Sequence, residues 1–362
     1  MNVAEKFVNI LKKNKISDVF IYPGGTIAPI INACEKFGVK IHNFKSEQGA
    51  GYAAIGAYKT TKKPQVLMVT SGPGVTNAIT PLADAFYDSI PLILITGQIG
   101  TKDLAKRKNV RQRGFQEVPT LDLVKKISKG SILIKNSLAF EKKIQNFFDF
   151  TTSGRPGPVV IDFPMNVQRS AIHKVKKKLE KKKNLQNKTN TKILKKINDL
   201  INKSKKPLLL LGNGANDKKN FGLINKLVIK YNFQVVTSLL GIGSYDTRKT
   251  NHHGYIGHTG HIAANFAAYT CDFLLVLGSR LDLRQTGTEV KQFCPEAYKV
   301  MVDIDKNELD NPRVKINFKI NQAVNSFLVD FLKLKNKKNS LQKKNSSWLK
   351  FLKIKKNLRL ED

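Results

Sequence analysis

The first part of the chain alternates short, continuous apolar runs with longer stretches whose hydrophobic residues recur at helical spacing. Each apolar run ends in a turn rich in glycine or proline, which is the pattern of strands buried on both faces. The predicted strands lie within residues 18–25, 65–74, 91–98 and 157–164, and the predicted helices span 3–13, 27–37, 48–60 and 76–87. Buried strands separated by helices predict a parallel sheet covered on both faces.

A second series of the same kind follows a break in this pattern. Residues 174–188 are rich in lysine and asparagine and predict an interdomain linker. Beyond the linker, apolar runs at 206–216, 233–238, 271–282 and 298–308 predict four more strands, and 321–332 predicts a closing helix. We therefore predict an α/β chain of two doubly wound parallel-sheet domains, at residues 1–172 and 190–334. A linker at 173–189 joins them, and a basic tail at 335–362, anchored by Trp348, follows.

The composition supports this division and narrows the class of protein. A chain of 362 residues with 41% hydrophobic residues is long enough for two cores. The net charge of +36 suggests nucleic-acid binding, but the lysines are densest in connectors and tails, with few aromatic residues among them. We therefore interpret the charge as solvated surface and predict no specific nucleic-acid partner.

The cysteines and the N-terminus predict a cytoplasmic protein. The three cysteines, Cys34, Cys271 and Cys294, are far apart in sequence and form no metal-type pair, which fits a reducing compartment. The N-terminal residues lack the charged-then-apolar order of a signal peptide. No run is long and apolar enough to predict a membrane span.

Glycine-rich turns follow several of the predicted strands, where ligands bind in open α/β sheets. They lie at residues 23–25, 71–74 and 97–98. In addition, Glu47 precedes a run of very small residues in the stretch FKSEQGAGYAAIGAY, and residues 49–51 are predicted to leave room for a ligand. Any one of these turns could be purely structural, and Glu47 could be a helix-capping acid. Together they predict an apolar, backbone-lined rim that carries one carboxylate.

Other candidate motifs give weaker signals. The histidines His252, His253, His258 and His261 cluster in NHHGYIGHTGH, but without a nearby cysteine or an H-E-x-x-H spacing they favour a pocket-lining loop over a metal site. LGNGAND resembles a dinucleotide fingerprint only faintly, because an aspartate occupies the last glycine position. Arg280 and Arg284 follow a strand and could bind a phosphate or form surface ion pairs. Ser71 lacks the nucleophile-elbow pattern and is predicted to be a turn or cap residue.

Several longer motifs, in a fixed order, resemble one known family. In the first domain they are YPGG, SEQGAGYAAIGAY, VTSGPGVTNAITPLADAFYDSIPLILITGQ, GFQEV and SGRPGPVVIDFP, and in the second GHTGHIAAN, VLGSRLDLRQTG and VDIDKNEL. The chain resembles thiamine-diphosphate-dependent enzymes of the acetolactate synthase type, up to about residue 332. RQRGFQEV is also similar to less characterised relatives that accompany surface-sugar pathways.

The resemblance implies roles for individual residues of the first domain. Glu47 matches the glutamate that hydrogen-bonds the aminopyrimidine N1′ of the cofactor and promotes loss of the thiazolium C2 proton. The wall around the aminopyrimidine is matched by Gly24, Gly25, Pro73 and Asn77. A pocket edge that faces the reaction centre across a dimer interface is matched by Phe115 and Gln116.

The sequence also departs from this family. Ser46 stands where acetolactate synthases usually carry histidine, and Thr26 where alanine is common. The family holds the diphosphate through Mg²⁺ with a Gly-Asp-Gly motif, which does not occur in these 362 residues. The resemblance therefore implies that the tail leads toward an absent diphosphate-binding domain, and that Mg²⁺ is held by that domain or by a partner chain. No metal ligands are predicted in this chain.

The resemblance implies the N-terminal portion of an enzyme that decarboxylates and joins small 2-keto acids, working as a homo-oligomer or with a separate diphosphate-binding chain. FAD is a candidate second cofactor, with Gly212, Gly214 and Arg280 as its candidate contacts. An alternative is a noncatalytic or split-subunit module that binds a nucleotide or cofactor, in a surface-sugar pathway for example.

Overall fold

The computed structural model describes residues 1–105, 110–138, 140–172, 190–335 and 346–356. It divides into two compact units, Met1–Lys183 and Asn184–Asp362. The linker predicted at 173–189 lies outside the described residues, as does the part of the predicted tail at 336–345 and 357–362.

The first unit is built on a parallel sheet with described strand order β2-β1-β3-β4-β6-β5. Strands β1 to β6 are Asp18–Ile21, Lys40–Asn43, Gln65–Val69, Leu92–Gln98, Gly130–Leu133 and Val159–Pro164. Helices α1 to α8 are Val3–Lys13, Ala28–Lys36, Glu47–Thr61, Pro73–Tyr87, Thr101–Ala105, Thr120–Val124, Phe140–Thr152 and Met165–Arg169. A single-turn 3₁₀ helix, Gly25–Ile27, precedes α2.

The central strands of this sheet are apolar on both faces, and alternate residues enter two different cores. In β3, Val66 and Met68 pack with residues of α1, α2 and α7. Leu67 and Val69 pack on the other face with residues of α3 and α4. Helices therefore cover both faces of the sheet, as the apolar runs predicted.

The second unit repeats this plan with described strand order β12-β11-β10-β7-β8-β9, again in parallel. Strands β7 to β12 are Pro207–Leu211, Gln234–Thr237, His252–Tyr255, Phe273–Leu277, Tyr298–Asp303 and Phe318–Asn321. Helices α9 to α15 are Thr191–Lys203, Lys218–Tyr231, Ile262–Thr270, Leu283–Thr286, Lys306–Asp310, Val324–Leu332 and Ser346–Lys356. Single-turn 3₁₀ helices lie at Asn213–Ala215, Leu239–Gly241 and Val290–Gln292. The prediction of two doubly wound parallel-sheet domains is confirmed.

The helix α15 is the part of the predicted basic tail that the structure describes. Trp348 is buried, and its indole N–H donates to Thr270 Oγ1 at 2.9 Å. Phe351 stacks on Phe266 of α11, with ring centroids 6.2 Å apart. Trp348 is therefore an anchor, as predicted, and it packs this helix onto α11.

Within the described ranges, no helix combines the length and the apolar character needed to cross a bilayer.

Candidate functional site

The predicted glycine-rich turns lie together at the carboxyl-terminal end of the first sheet. Strands β1, β3 and β4 are neighbours and run parallel, so the turns that follow Ile21, Val69 and Gln98 emerge side by side. The turns predicted at residues 23–25 and 71–74 therefore lie side by side at the carboxyl ends of their strands. Gly97 and Gln98, also predicted as a turn, are instead the last residues of β4 and pair with β6.

Thr26 ties two of these turns together. Its hydroxyl lies 2.8 Å from Thr70 Oγ1 and accepts the backbone N–H of Ser71 at 3.0 Å. Gly97 is packed so closely on Thr26 that any Cβ at position 97 would overlap the hydroxyl oxygen. The sequence marks Thr26 only as a departure from the family, whereas the structure shows it joining the turn after β1 to the turn after β3. Ser71 is a turn residue and does not cap α4, since the N-cap residue there is Gly72.

Glu47 begins α3 and is buried, with 5% of its surface exposed. Its Oε2 accepts a hydrogen bond from Asn77 Nδ2 of α4 at 3.1 Å. Oε1 lies toward Gly74, where a Cβ would be 3.6 Å from this oxygen. The carboxyl group therefore lies between the first turns of two helices, whose N-terminal ends favour negative charge.

The residue that caps α3 is Ser46. Its Oγ accepts the N–H of Gly49 at 3.0 Å, and its backbone is extended. The interpretation of Glu47 as the helix-capping acid is therefore wrong. Ser46, one of the departures from the family pattern, therefore serves as the N-cap of α3.

Replacing this cap should affect stability and leave the Glu47 contact in place. We expect Ser46→Ala to lower the free energy of unfolding by about 1 kcal/mol, because one helix N–H loses its acceptor. Urea unfolding followed by circular dichroism measures the change, and Ser46→Asp, which restores an acceptor, is the matched control. Equal stability of all three proteins would contradict the assignment.

One of the small residues after Glu47, Gly51, serves a different purpose from the one predicted. Gly51 packs on Pro81 of α4, where a Cβ would be 2.5 Å from the proline Cγ. Ala50 and Ala54 are fully buried in the same core. The prediction that residues 49–51 leave room for a ligand needs correction at Gly51, since the backbone approached there is that of a neighbouring helix.

Phe115 and Gln116 lie on the loop at residues 111–119, which we call the aromatic loop. Phe115 is 87% exposed. Gln116 has a left-handed backbone, with φ of 60°, and packs on Gly72. A Cβ at Gly72 would lie 2.7 Å from Gln116 Cβ and 2.9 Å from its carbonyl oxygen, and φ of Gly72 is itself 64°. The structure thus brings the aromatic loop beside the turn that contains Pro73.

Two buried acids near the carboxyl-terminal end of the first sheet were not predicted as site residues. Asp162 of β6 accepts hydrogen bonds from Thr96 Oγ1 at 2.7 Å and from Gln98 Nε2 at 3.0 Å. Burial raises the pKa of Asp162 to about 6, although these hydrogen bonds act in the opposite direction. Glu117, in the aromatic loop, is 4% exposed. An acid inside the apolar run VVIDFP was the available signal for Asp162, whereas nothing in the polar surroundings of Glu117 distinguished it.

The candidate FAD contacts lie in the second unit, at the ends of β7 and β10. The N–H groups of Gly212 and Gly214 donate to the carbonyls of Leu277 and Gly278, at 2.9 and 3.0 Å. A Cβ at Gly212 would overlap the Gly278 carbonyl. Both glycines therefore hold two strand ends together. Arg280 is exposed, and its Nη2 lies 3.8 Å from Asp282 Oδ2.

The histidine cluster differs from the predicted pocket-lining loop. His252 and His253 lie in strand β9 and are buried, and His253 Nε2 lies 2.8 Å from Gln234 Oε1. Burial lowers the pKa of each to about 4, with Lys356 acting in the same direction. His258 is exposed, and His261 directly precedes α11. In the part of the chain that the structure describes, no group of three or more His, Cys, Asp or Glu side chains is arranged to hold a metal ion.

Comparison with known proteins gives two family matches, one in each unit. The N-terminal TPP binding domain of thiamine pyrophosphate enzymes matches residues 1–124, and the central domain of thiamine pyrophosphate enzymes matches residues 194–330. Together these matches span most of the chain.

Curated relatives show where the similarity lies. The chain is 34% identical over 304 residues to the mitochondrial acetolactate synthase catalytic subunit of Saccharomyces cerevisiae, covering 80% of this chain and 43% of that protein. It is 33% identical over 315 residues to the acetolactate synthase isozyme 2 large subunit of Escherichia coli, covering 86% and 56%. With the acetolactate synthase large subunit of Lactococcus lactis it shares 32% identity over 312 residues, covering 84% and 52%. The chain spans about half the length of the curated relatives it matches.

Proposed function

This chain belongs to the thiamine pyrophosphate enzyme family, and from that premise we propose that it is the N-terminal portion of an acetolactate synthase-like enzyme. The proposed reaction decarboxylates one small 2-keto acid and joins the remaining carbon unit to a second. In this proposal the first unit binds the pyrimidine half of thiamine diphosphate, and Glu47 activates it.

The observation that carries the proposal is the position of Glu47. Its carboxyl group is 5% exposed and accepts a hydrogen bond from Asn77 on Oε2, which leaves Oε1 for a further partner. A ring nitrogen that shares a proton with this oxygen would supply that partner. Position 25 offers space for a ligand, since a Cβ at Gly25 would meet no atom within 4 Å.

Glu47 and the residues proposed to surround the aminopyrimidine each have a defined part in the proposal. Thiamine diphosphate, when bound, supplies an acidic C–H whose carbon, once deprotonated, adds to a keto group and accepts the electrons released with carbon dioxide. Glu47 holds and exchanges the proton that governs this acidity, and Asn77 orients its carboxyl group by donating to Oε2. Gly24, Gly25 and Pro73 provide uncharged walls beside that proton.

The binding of Mg²⁺, the diphosphate and FAD is not assigned to the residues around the aminopyrimidine. We propose that Mg²⁺ and the diphosphate are held by a further domain or by a partner chain, because the Gly-Asp-Gly motif does not occur in this sequence. For FAD the fit is poorer, since the N–H groups of Gly212 and Gly214 already have acceptors, which leaves Arg280 as the one of the three candidate contacts that could donate to a phosphate. No step of the proposal depends on a flavin.

The setting of the proposed enzyme follows the same reasoning. We propose a cytoplasmic protein that works as a homo-oligomer or with a separate diphosphate-binding chain. Its substrate is a small 2-keto acid, and it has no specific nucleic-acid partner.

Reconstitution tests the proposal. The chain would be mixed with a diphosphate-binding domain from an acetolactate synthase, thiamine diphosphate, Mg²⁺ and a panel of 2-keto acids. We expect the chain alone to bind the cofactor weakly and to be inactive, because metal-bridged phosphate contacts supply much of the affinity. Calorimetric titration measures binding, and release of carbon dioxide measures turnover. Tight Mg²⁺-dependent binding by the chain alone would contradict the proposal that another domain or chain holds the diphosphate. A reconstituted pair that binds the cofactor without turnover would favour a noncatalytic module.

A further inference from the structure

The aromatic loop presents a side chain in an unusual way. Phe115 is 87% exposed, and the next residue, Gln116, is in the left-handed region. A large exposed apolar side chain beside a left-handed residue is expected on a loose loop. This loop is instead fastened from inside the protein on both sides of Phe115.

The first fastening is the carboxylate of Glu117. Its Oε2 accepts the backbone N–H of Arg113 at 2.7 Å and that of Gly114 at 3.3 Å. The N–H of Glu117 donates to the Gly114 carbonyl at 3.1 Å, which closes the turn around Phe115. The buried side chain of Glu117 therefore links position 117 to residues 113 and 114, which precede Phe115.

The second fastening joins the loop to the sheet. The carbonyl of Val118 accepts a hydrogen bond from Gln98 Nε2 at 3.1 Å. Gln98 is itself held by Asp162 of β6 and by the N–H of Ile99, which donates to Gln98 Oε1 at 2.9 Å. The carboxyl ends of strands β4 and β6 therefore hold the loop at Val118.

We propose that Glu117 is a positioning residue that sets the place of Phe115 and Gln116 at the edge of the site, and this inference rests on the proposed function. A buried carboxylate is costly, and the hydrogen bonds from Arg113 and Gly114 that help to offset this cost also hold the loop around Phe115. Fixing the loop before a ligand or partner arrives avoids the entropy loss of ordering it on binding. Glu117 therefore acts through the residues on either side of it and need not touch the cofactor.

Amide hydrogen exchange tests the fastening directly in the full chain. Mass spectrometry of the segment 110–118 would be compared among the wild type, Glu117→Ala and Glu117→Gln. We expect exchange at Arg113 and Gly114 to be about 10- to 100-fold faster in Glu117→Ala, because bonds to a charged acceptor are lost. Glu117→Gln keeps an acceptor oxygen and should retain much of the protection. Phe115→Ala is the matched control, since it removes the presented ring and leaves the fastening in place. Unchanged exchange in Glu117→Ala would overturn the proposal.

Turnover in the reconstituted pair tests the consequence for the site. We expect Glu117→Ala and Phe115→Ala each to lower kcat/KM about tenfold or more, and Glu117→Gln to restore most of the loss. Circular dichroism confirms that each variant is folded, and Glu117→Gln provides the comparison if Glu117→Ala is not. Full activity of Glu117→Ala with fast loop exchange would also overturn the proposal. If the wild-type pair shows no turnover, the proposed function fails, while the exchange result still decides whether Glu117 holds the loop.

Discussion

Glu47→Gln should slow exchange of the thiamine diphosphate C2 proton by about a hundredfold to ten-thousandfold in the reconstituted enzyme, the range typical of losing one acid–base group. Glutamine has the same size and can still accept from Asn77 Nδ2, so the contact at 3.1 Å is preserved. It cannot give or take a proton at the second oxygen. The substitution therefore separates the chemistry of the carboxyl group from its packing.

Deuterium exchange at C2, followed by NMR, measures this effect, and calorimetry measures cofactor affinity in the same samples. Glu35→Gln is the matched control, because Glu35 is an exposed acid of α2 in the same unit. We expect that control to leave both exchange and melting temperature unchanged. Normal C2 exchange in Glu47→Gln, together with a lowered melting temperature, would assign Glu47 a purely structural role.

Acidification from pH 8 to pH 5 should destabilise the second unit by about 4 kcal/mol, through its two buried histidines. The pKa of His252 and of His253 is lowered to about 4 by burial, whereas an unfolded histidine titrates near 6.5. Between these values the unfolded chain binds more protons than the folded chain. Stability is therefore complete above about pH 6.5 and falls as the pH drops toward 4, by about 2 kcal/mol per histidine at pH 5.

The sole tryptophan of the sequence makes this loss measurable. Trp348 packs on α11 in the second unit, so urea unfolding followed by its fluorescence reports on that unit. His253→Gln should remove about half of the pH dependence, whereas His258→Gln, at an exposed position of the same segment, should leave it unchanged. A urea midpoint that does not move between pH 8 and pH 5 would contradict the lowered pKa of these buried histidines.

The first unit contains a group that responds to acid in the opposite direction. The pKa of Asp162 is raised to about 6, above the value near 3.9 of an unfolded aspartate. Here the folded chain binds more protons, so this carboxyl group favours folding as the pH falls through 6. The contrast with the histidines follows from one cause, since burial disfavours the charged form of both acids and bases.

The hydrophobic pattern predicted the central strands of both sheets and missed the edge strands. The unpredicted strands β2, β5, β9 and β12 occupy the two edges of each described sheet. Central strands such as β3 are buried on both faces and read as continuous apolar runs. The edge strands KIHN, GSIL, HHGY and FKIN carry polar residues, so their sequences resemble loops. Local sequence cannot reveal that a neighbouring strand supplies the hydrogen bonds.

At the site, sequence predicted groups that stand out from their neighbours. Glu47 is an acid before a run of small residues, and its burial agrees with the rim predicted around it. Glu117 sits among other polar residues, and only the folded loop shows that its side chain turns inward. Thr26 is similar, because a hydroxyl becomes informative only when its partners, Thr70 and Ser71, arrive from a distant part of the chain. The sequence could not predict contacts between distant segments, such as those of Thr26, or the inward direction of a polar side chain in a loop, such as that of Glu117.

The packing of Gly72 on Gln116 restricts the routes by which this sequence can diverge during evolution. Any other residue at position 72 must adopt φ of 64° and would also press against the neighbouring loop. Shortening Gln116 would not relieve the contact, because its main-chain oxygen would still lie 2.9 Å from the new Cβ. A substitution at 72 is therefore acceptable only in a lineage whose aromatic loop has already shifted, for example through a change in loop length. We therefore expect substitutions in the two segments to be epistatic, so that the order of the changes decides which variants fold.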